Sequence, residues 1–250
     1  MGAPEPGDVS LTVLGCDGSW PGPGGAGSGY LVRIDDLAVL LDCGPGTAGA
    51  LQDHIDPGEL VAVVVTHHHT DHWSDLYALD AQARFGRSVR HRGRPLPVYA
   101  PASVRDRVSP GDVPAVEWHL VGDGDRASIG DVALAFHRTD HVDETVAVRM
   151  DGGGRSLGYS ADTGPGWAPS ALGLGLDLLL CEATYTAEHE GTAQHLSGRQ
   201  AGQAARAAEA RRLVITHRWP TIDAAAVAAE AAEAFGGPVE QAVRGAEYQL

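Results

Sequence analysis

Val63-Val64-Val65-Thr66-His67-His68-His69-Thr70-Asp71-His72 is the stretch that decides the fold. An apolar, β-branched run stops abruptly in four histidines and one aspartate. Short apolar runs of this kind read as buried strands, and reactive side chains collect on the loops that leave such strands. In extended chain, side chains two residues apart point the same way. His67 and His69 therefore face one point and His68 faces away. The chain must turn after Thr70, so Asp71 and His72 can address a second point close to the first. Two imidazoles for one ion, and a carboxylate with an imidazole for another, suit zinc, manganese or iron. Paired metals roughly 3.5–4 Å apart suit hydrolysis of phosphate esters. A surface histidine run or a purification tag would not follow a buried strand or carry the aspartate.

The 250 residues fit one large layered domain, and we expect a single domain over residues 1–250. A hydrophobic content of 43% is enough to fill a core. No apolar run approaches the roughly 18 residues of a membrane span. Met1 to Ser10 has neither the basic start nor the apolar core of a signal peptide. Cys16, Cys43 and Cys181 are too few and too scattered for a disulfide framework, which makes the cytoplasm the expected compartment. The net charge of −15 argues against a broad nucleic-acid-binding face, so extended nucleic acid is not an expected partner. It leaves a small nucleotide open as substrate, because bound divalent metals add local positive charge.

Val9 to Leu14 alternates as a first strand and runs into a Gly/Pro loop carrying Gly22, Gly24, Gly25, Gly27 and Gly29. Such a loop can approach a ligand closely or simply connect; it lacks the Gly-Lys-Ser/Thr ending of a phosphate-binding P-loop. Tyr30 to Ile34 and Ala38 to Leu41 form a hairpin that ends at Asp42. That aspartate is a candidate to orient a ligand imidazole through its free N–H, or else a turn cap. Thr47 to His54 reads as a short helix. Ser74 is a candidate cap for a helix from Leu76 to Phe85, beginning directly after His72, whose positive end would favour an anionic substrate. Leu96 to Ala100, Val116 to Val121 and Val132 to His137 are strands, with helix and loop over Pro101 to Gly111. Ala127 to Gly130 reads as a turn region. His137 lies within its strand and His141 just past the strand end, so His141 is the better ligand candidate. Thr145 to Met150 and Arg155 to Ser160 form a hairpin that delivers Asp162, whose two oxygens can bridge two metals. A buried-looking run, Leu176 to Cys181, ends in Glu182-Ala183-Thr184. His195 follows a polar loop, Ser197 caps a helix over Gly198 to Ala210, and the strand Arg212 to Thr216 ends at His217. Asp223 caps a helix from Ala224 to Phe235, and Val239 to Leu250 closes with a strand. Strands and helices thus alternate in two halves, the pattern of an α/β layered sandwich.

These residues, taken together, resemble the metallo-β-lactamase superfamily. The match is His67-x-His69-x-Asp71-His72, then His141, Asp162 and His217, in order and each at a strand end. It covers nearly the whole chain. The resemblance implies a four-layer αββα sandwich with a dinuclear site at the rim of the paired sheets. It assigns His67, His69 and His141 to one metal, and Asp71, His72 and His217 to the other, with Asp162 bridging. Two divalent ions, zinc or else manganese or iron, are the implied cofactors.

Within the superfamily the phosphodiesterase branch, which includes ribonuclease Z, is most similar. Tyr159-Ser160-Ala161-Asp162-Thr163, Glu182-Ala183-Thr184, His195-Leu196-Ser197 and Thr216-His217 carry this likeness. Cys181 and Leu196-Ser197 stand where ribonuclease Z has His and Ser-Thr. Ribonuclease Z also carries a long basic arm between its third histidine motif and the bridging aspartate. Here Asp162 follows His141 by only 21 positions. With the acidic charge, this points away from tRNA and toward bacterial members that hydrolyse cyclic nucleotides. The implied partner is a small phosphodiester, with a homodimer implied by resemblance alone.

The expected chemistry is attack on phosphorus by water ionised between the metals, with the metals neutralising developing charge. Asp71 is the candidate to accept the water's proton. His195, with Glu182 nearby by resemblance, is the candidate to protonate the leaving alkoxide. RNA 3′-end cleavage, thioester or lactone hydrolysis on the same fold, and a non-catalytic sensor are the competing readings. The Ser-Ala-Asp-Thr and Glu-Ala-Thr stretches favour phosphodiesters over acyl substrates.

Overall fold

The computed structural model describes residues 7–86, 95–109, 111–142 and 144–250. Two seven-stranded sheets face each other. The first contains β1 (Val9–Gly15), β2 (Gly29–Ile34), β3 (Leu37–Leu41), β4 (Leu60–Val64), β5 (Leu96–Ala100) and β6 (Val116–Leu120). The second contains β7 (Arg126–Ile129), β8 (Val132–Arg138), β9 (Val146–Gly152), β10 (Arg155–Tyr159), β11 (Leu178–Glu182), β12 (Leu213–Thr216) and β13 (Val239–Gln241). The last strand, β14 (Glu247–Gln249), crosses back to pair with β1, so the first sheet runs β14-β1-β2-β3-β4-β5-β6. The helices are α1 (Thr47–Leu51), α2 (Thr70–Trp73), α3 (Leu76–Phe85), α4 (Ala102–Arg105), α5 (Gly198–Ala207) and α6 (Ala224–Phe235).

Alternation along each strand explains the layers. On β2, Tyr30, Val32 and Ile34 point into the space between the sheets, while Leu31 points out. On β4, Ala62 and Val64 point in, and Val63 points out with Val65 beyond it. On β11, Leu178 and Leu180 point in, and Leu179 and Cys181 point out. The outward set of the first sheet is covered by Ala48 and Leu51 of α1 and by Leu76 and Leu79 of α3. That of the second is covered by Ala201 and Ala205 of α5 and Val227 and Ala231 of α6. Both faces of the central strands are therefore buried, which is why their sequence reads as continuous apolar runs. The result is the expected αββα sandwich. Small residues let α5 and α6 pack closely: a Cβ on Gly198 would lie 2.2 Å from the Val227 carbonyl oxygen.

β3 and β4 are parallel, and so are β10, β11 and β12. β8 runs the same way as β10, each being antiparallel to β9. The carboxyl ends of these strands open on one rim, where ligands of α/β sheets gather. Three bonds tie the two sheets there. Tyr30 and Thr216 hydroxyls lie 2.6 Å apart, Tyr159 donates to Asp42 at 2.8 Å, and Val146 N donates to Thr66 O at 3.1 Å.

Several sequence expectations are corrected. Ala127 to Gly130 is not a turn region but most of β7, an edge strand paired with β8. Val239 to Leu250 holds two short strands on different sheets, because Gly245 (φ 84°) turns the chain between them. Ser74 caps no helix start. It ends the one-turn α2, and its buried hydroxyl has no hydrogen-bond partner among the described residues. The longer α3 begins at Leu76, with Asp75 at its N-cap, so its positive end is not the element that leaves His72. Thr47 to His54 is helical only to Leu51, since three residues of turn follow. The first six residues of the Met1 to Ser10 segment, and residue 110 of the Pro101 to Gly111 segment, lie outside the described residues.

Candidate metal centre

Asp42 follows β3, His67 and His69 follow β4, and Asp162 follows β10. Glu182 ends β11, and His217 follows β12. Asp42, Ala161 and His217 all have left-handed backbone (φ 56°, 52° and 57°). Each such residue without glycine costs roughly 1–2 kcal/mol, so the surrounding bonds must hold it there. That turn swings the side chains off the sheet ends onto the rim. Asp71 and His72 arrive on α2, whose single turn is fixed at both ends. Cys43 N donates to His72 O at 2.7 Å, and Ser28 N donates to Asp71 O at 3.0 Å.

Two clusters result. In the first, His67 Nε2 lies 3.1 Å from His69 Nδ1, and His141 Nε2 lies 3.3 Å from the same atom. Asp162 Oδ2 is 3.5 Å from His67 Nε2 and 3.7 Å from His141 Nε2. In the second, His72 Nε2 and His217 Nε2 are 3.3 Å apart, and Asp71 Oδ2 lies 3.4 and 3.2 Å from them. Asp162 Oδ1 is 3.3 Å from both of these nitrogens. That buried oxygen makes no hydrogen bond among the described residues. Two ligands on one tetrahedral ion, each bonded at about 2.0–2.2 Å, stand roughly 3.3–3.6 Å apart. The donor atoms therefore fit a divalent cation, and lone pairs converging on an orphaned carboxylate oxygen give the reason for one. His137 stays on β8, half-buried, outside these clusters.

Partners behind the rings set their orientation. His72 Nδ1 donates to Asp42 Oδ2 at 2.7 Å, and Asp42 also accepts from Thr66 N, Thr66 Oγ1 and Tyr159. His141 Nδ1 donates to Gln194 O at 3.0 Å. His217 Nδ1 lies 3.1 Å from Thr184 Oγ1, which donates to Glu182 Oε2 at 2.7 Å. Such partners fix the ring and its tautomer. Thr184, Thr66 and Tyr159 were not singled out from the sequence as partners of the histidines. Their signal was present in Thr184, two residues past Glu182 on the same strand end, and in Thr66, directly before the first histidine.

Burial pushes His67 well below the usual histidine range, and it lowers His69 and His141 too. His72 moves the other way. Burial opposes its charge, but Asp162, Asp71 and Asp42 outweigh that and hold it well above the usual value. Burial would raise Asp71, yet His72 and His217 hold its carboxyl far below the carboxylate range.

Glu182 is fully buried and accepts four hydrogen bonds, from Thr163 N, Thr184 Oγ1, Leu196 N and His195 Nδ1. The last, at 2.9 Å, fixes His195 so that its ring stands beside Asp162 and His217. Burial of the His195 ring works against its charge, but the Glu182 carboxylate pushes its pKa up to about 9.

The Gly/Pro loop approaches the site by backbone. Ser19 N donates to Asp71 Oδ2 at 2.8 Å. A Cβ on Gly44 would stand 1.9 Å from Asp71 O, and one on Gly18 2.4 Å from His217 O. These glycines permit the loops to close on the second cluster.

A family model described as a β-lactamase superfamily domain matches residues 38–218. An uncharacterised protein of Mycobacterium leprae is 36% identical over 255 residues, spanning 97% of this chain and 89% of its own length. The crystal structure of YhfI from Bacillus subtilis, a metallo-β-lactamase-fold protein, superposes with a TM-score of 0.88 at 27% identity. It covers 97% of this chain and 99% of YhfI, whose sequence carries the name probable metallo-hydrolase. Ribonuclease Z of Methanopyrus kandleri is 30% identical over 146 residues, covering 58% of this chain and 50% of its own.

Proposed function

The chain belongs to the β-lactamase superfamily, a metallo-hydrolase family, and on that premise we propose that it is a dinuclear phosphodiesterase of small cyclic nucleotides. His67, His69 and His141 would hold one ion and Asp71, His72 and His217 the other, with Asp162 available to both. Divalent ions, when bound, ionise water near neutral pH and neutralise charge growing on phosphoryl oxygens. Asp71, held as a carboxylate, would orient the attacking water by accepting a hydrogen bond from it.

The observation that carries the reading is the His195–Glu182 pair beside Asp162 and His217. A ribose alkoxide is a poor leaving group and needs a proton as the P–O bond breaks. A thiolate leaves without one, so a fixed proton donor at this place favours phosphodiesters over thioesters. Glu182 orients His195 and stabilises its protonated form. His195 gives its Nε2 proton to the departing oxygen. The relative named a ribonuclease supports the same bond type, while the charge of −15 favours a small substrate over RNA.

The test is hydrolysis of 3′,5′-cyclic AMP and of a glutathione thioester by zinc- or manganese-reconstituted protein. Metal-dependent turnover of the cyclic nucleotide, lowered about 100-fold in His195→Ala, is the expected result. Faster turnover of the thioester, unaffected by His195→Ala, would refute the reading.

A further inference from the structure

The loop that closes on the second cluster carries an aromatic residue that neither the metal ligands nor the acid pair uses. Trp20 is 44% exposed, although large aromatic side chains bury their surface where they can. Its ring stands 6.0 Å from that of Trp219, two residues beyond His217, at an interplanar angle of 33°. Trp219 is itself fixed. Its backbone N donates to Thr184 O at 3.1 Å, its ring stands edge-on to Tyr185 at 5.7 Å, and its Nε1 donates to Ser19 Oγ at 3.0 Å.

Ser19 joins these rings to the site. The same residue gives its backbone N–H to Asp71 Oδ2 at 2.8 Å, and it holds a left-handed backbone (φ 62°) to do so. Gly18 N donates to Arg218 O at 3.0 Å, and Gly18 lies so close to His217 that a Cβ there would collide with it. Further along, Gly22 N donates to Asp17 Oδ2 at 2.8 Å, and Arg244 donates to Gly24 O at 3.0 Å. The loop is thus braced on both sides and strained at the residue that touches both Asp71 and Trp219. Ser19 thus bonds to both the Trp219 indole and the Asp71 carboxylate, and Trp20 is the next residue along the chain.

We infer that Trp20, backed by Trp219, is a stacking platform that receives the flat aromatic base of the substrate while its phosphate lies at the two clusters. The inference rests on the phosphodiesterase reading for its ligand class, a nucleotide. Stacking is tolerant of base identity, because every base offers a π face. The platform selects nucleotides from other phosphate esters without choosing strongly among bases.

The test is equilibrium binding of 5′-AMP and of ribose 5-phosphate to the zinc-loaded protein, read by tryptophan fluorescence and calorimetry. The wild type binds 5′-AMP about tenfold more tightly, Trp20→Ala loses that advantage, and Trp20→Phe keeps most of it. Binding of ribose 5-phosphate is unchanged in all three proteins. Equal affinities in the wild type, an advantage that survives Trp20→Ala, or no binding of 5′-AMP would each overturn the platform. Selective nucleotide binding without turnover of cyclic nucleotides would leave the platform standing and overturn only the phosphodiesterase reading.

Discussion

The two clusters share Asp162 yet are built differently. The first consists of three imidazoles, and the ring of His69 is half-buried. Behind its rings stand a threonine hydroxyl and a backbone carbonyl. The second is buried throughout and contains the carboxylate of Asp71, with that of Asp42 directly behind His72. Neutral imidazoles in the first are ready to ligate. In the second, the three carboxylates hold a proton on His72 that an entering cation must displace. Protonation therefore opposes cation entry more at the second cluster than at the first.

Asp162→Ala is the largest break of this comparison, because it removes the group both clusters use. Activity falls on the order of 1000-fold or more, and metal content drops at both clusters. Retention of two metals with full activity would contradict the bridge.

His195→Ala separates chemistry from metal binding. It lowers turnover of cyclic nucleotides about 100-fold, leaves metal content unchanged, and barely affects bis(4-nitrophenyl) phosphate, whose leaving group needs no acid. In the wild type, kcat/KM falls as pH rises past a value at or below about 9, since bound cations pull the His195 pKa down from its metal-free position. That alkaline limb is absent from His195→Ala.

Asp42→Asn sharpens the contrast further. It removes the charge bonded directly to His72, while Asp42 reaches His67 only through the Thr66 hydroxyl, so the second cluster loses about 10–100-fold in metal affinity and the first loses less. Competition with a chelator at graded strength reads the two affinities separately. Equal losses at both clusters would show that Asp42 serves the fold rather than one ring.

The smallest expected effect is on the metal-free protein. The folded pKa values of His72 and His195 are raised, so the stability they contribute is complete below the unfolded histidine value of about 6.5. It is lost as pH climbs through the folded values, for His195 about 9. The melting temperature of metal-free protein thus falls by on the order of 5 °C between pH 6.5 and 9. In His195→Ala the fall is smaller.

Much of the sandwich was legible because its strands are buried on both faces. Runs such as Leu178 to Cys181 cannot belong to a surface, and their ends coincide with His, Asp and Glu residues. Strand-end position marked His141, Asp162 and His217 as single candidates, while the grouping of His67, His69 and His141, and of Asp71, His72 and His217, came from the family resemblance. What the sequence obscured was local. Periodicity does not distinguish a one-turn helix from a cap, so α2 merged with α3 around Ser74. The short edge strand β7, Arg126–Ile129, has only one buried residue, Ile129, too weak an alternation to read. β14 pairs across the molecule with β1, and no neighbouring residue signals that. The buried Thr184 contact depends on a left-handed turn at His217, which composition does not reveal.

Two cations sharing the Asp162 carboxylate are the centre of the proposed chemistry, and metal titration of the metal-free wild type counts them. Zinc followed by calorimetry at pH 6 and pH 8, with the metal content of the isolated complex measured by mass spectrometry, gives both number and order. Two equivalents per chain bind at pH 8, with the weaker step lost first on acidification. A single equivalent at both pH values, with full hydrolytic activity, would contradict the two-cation centre.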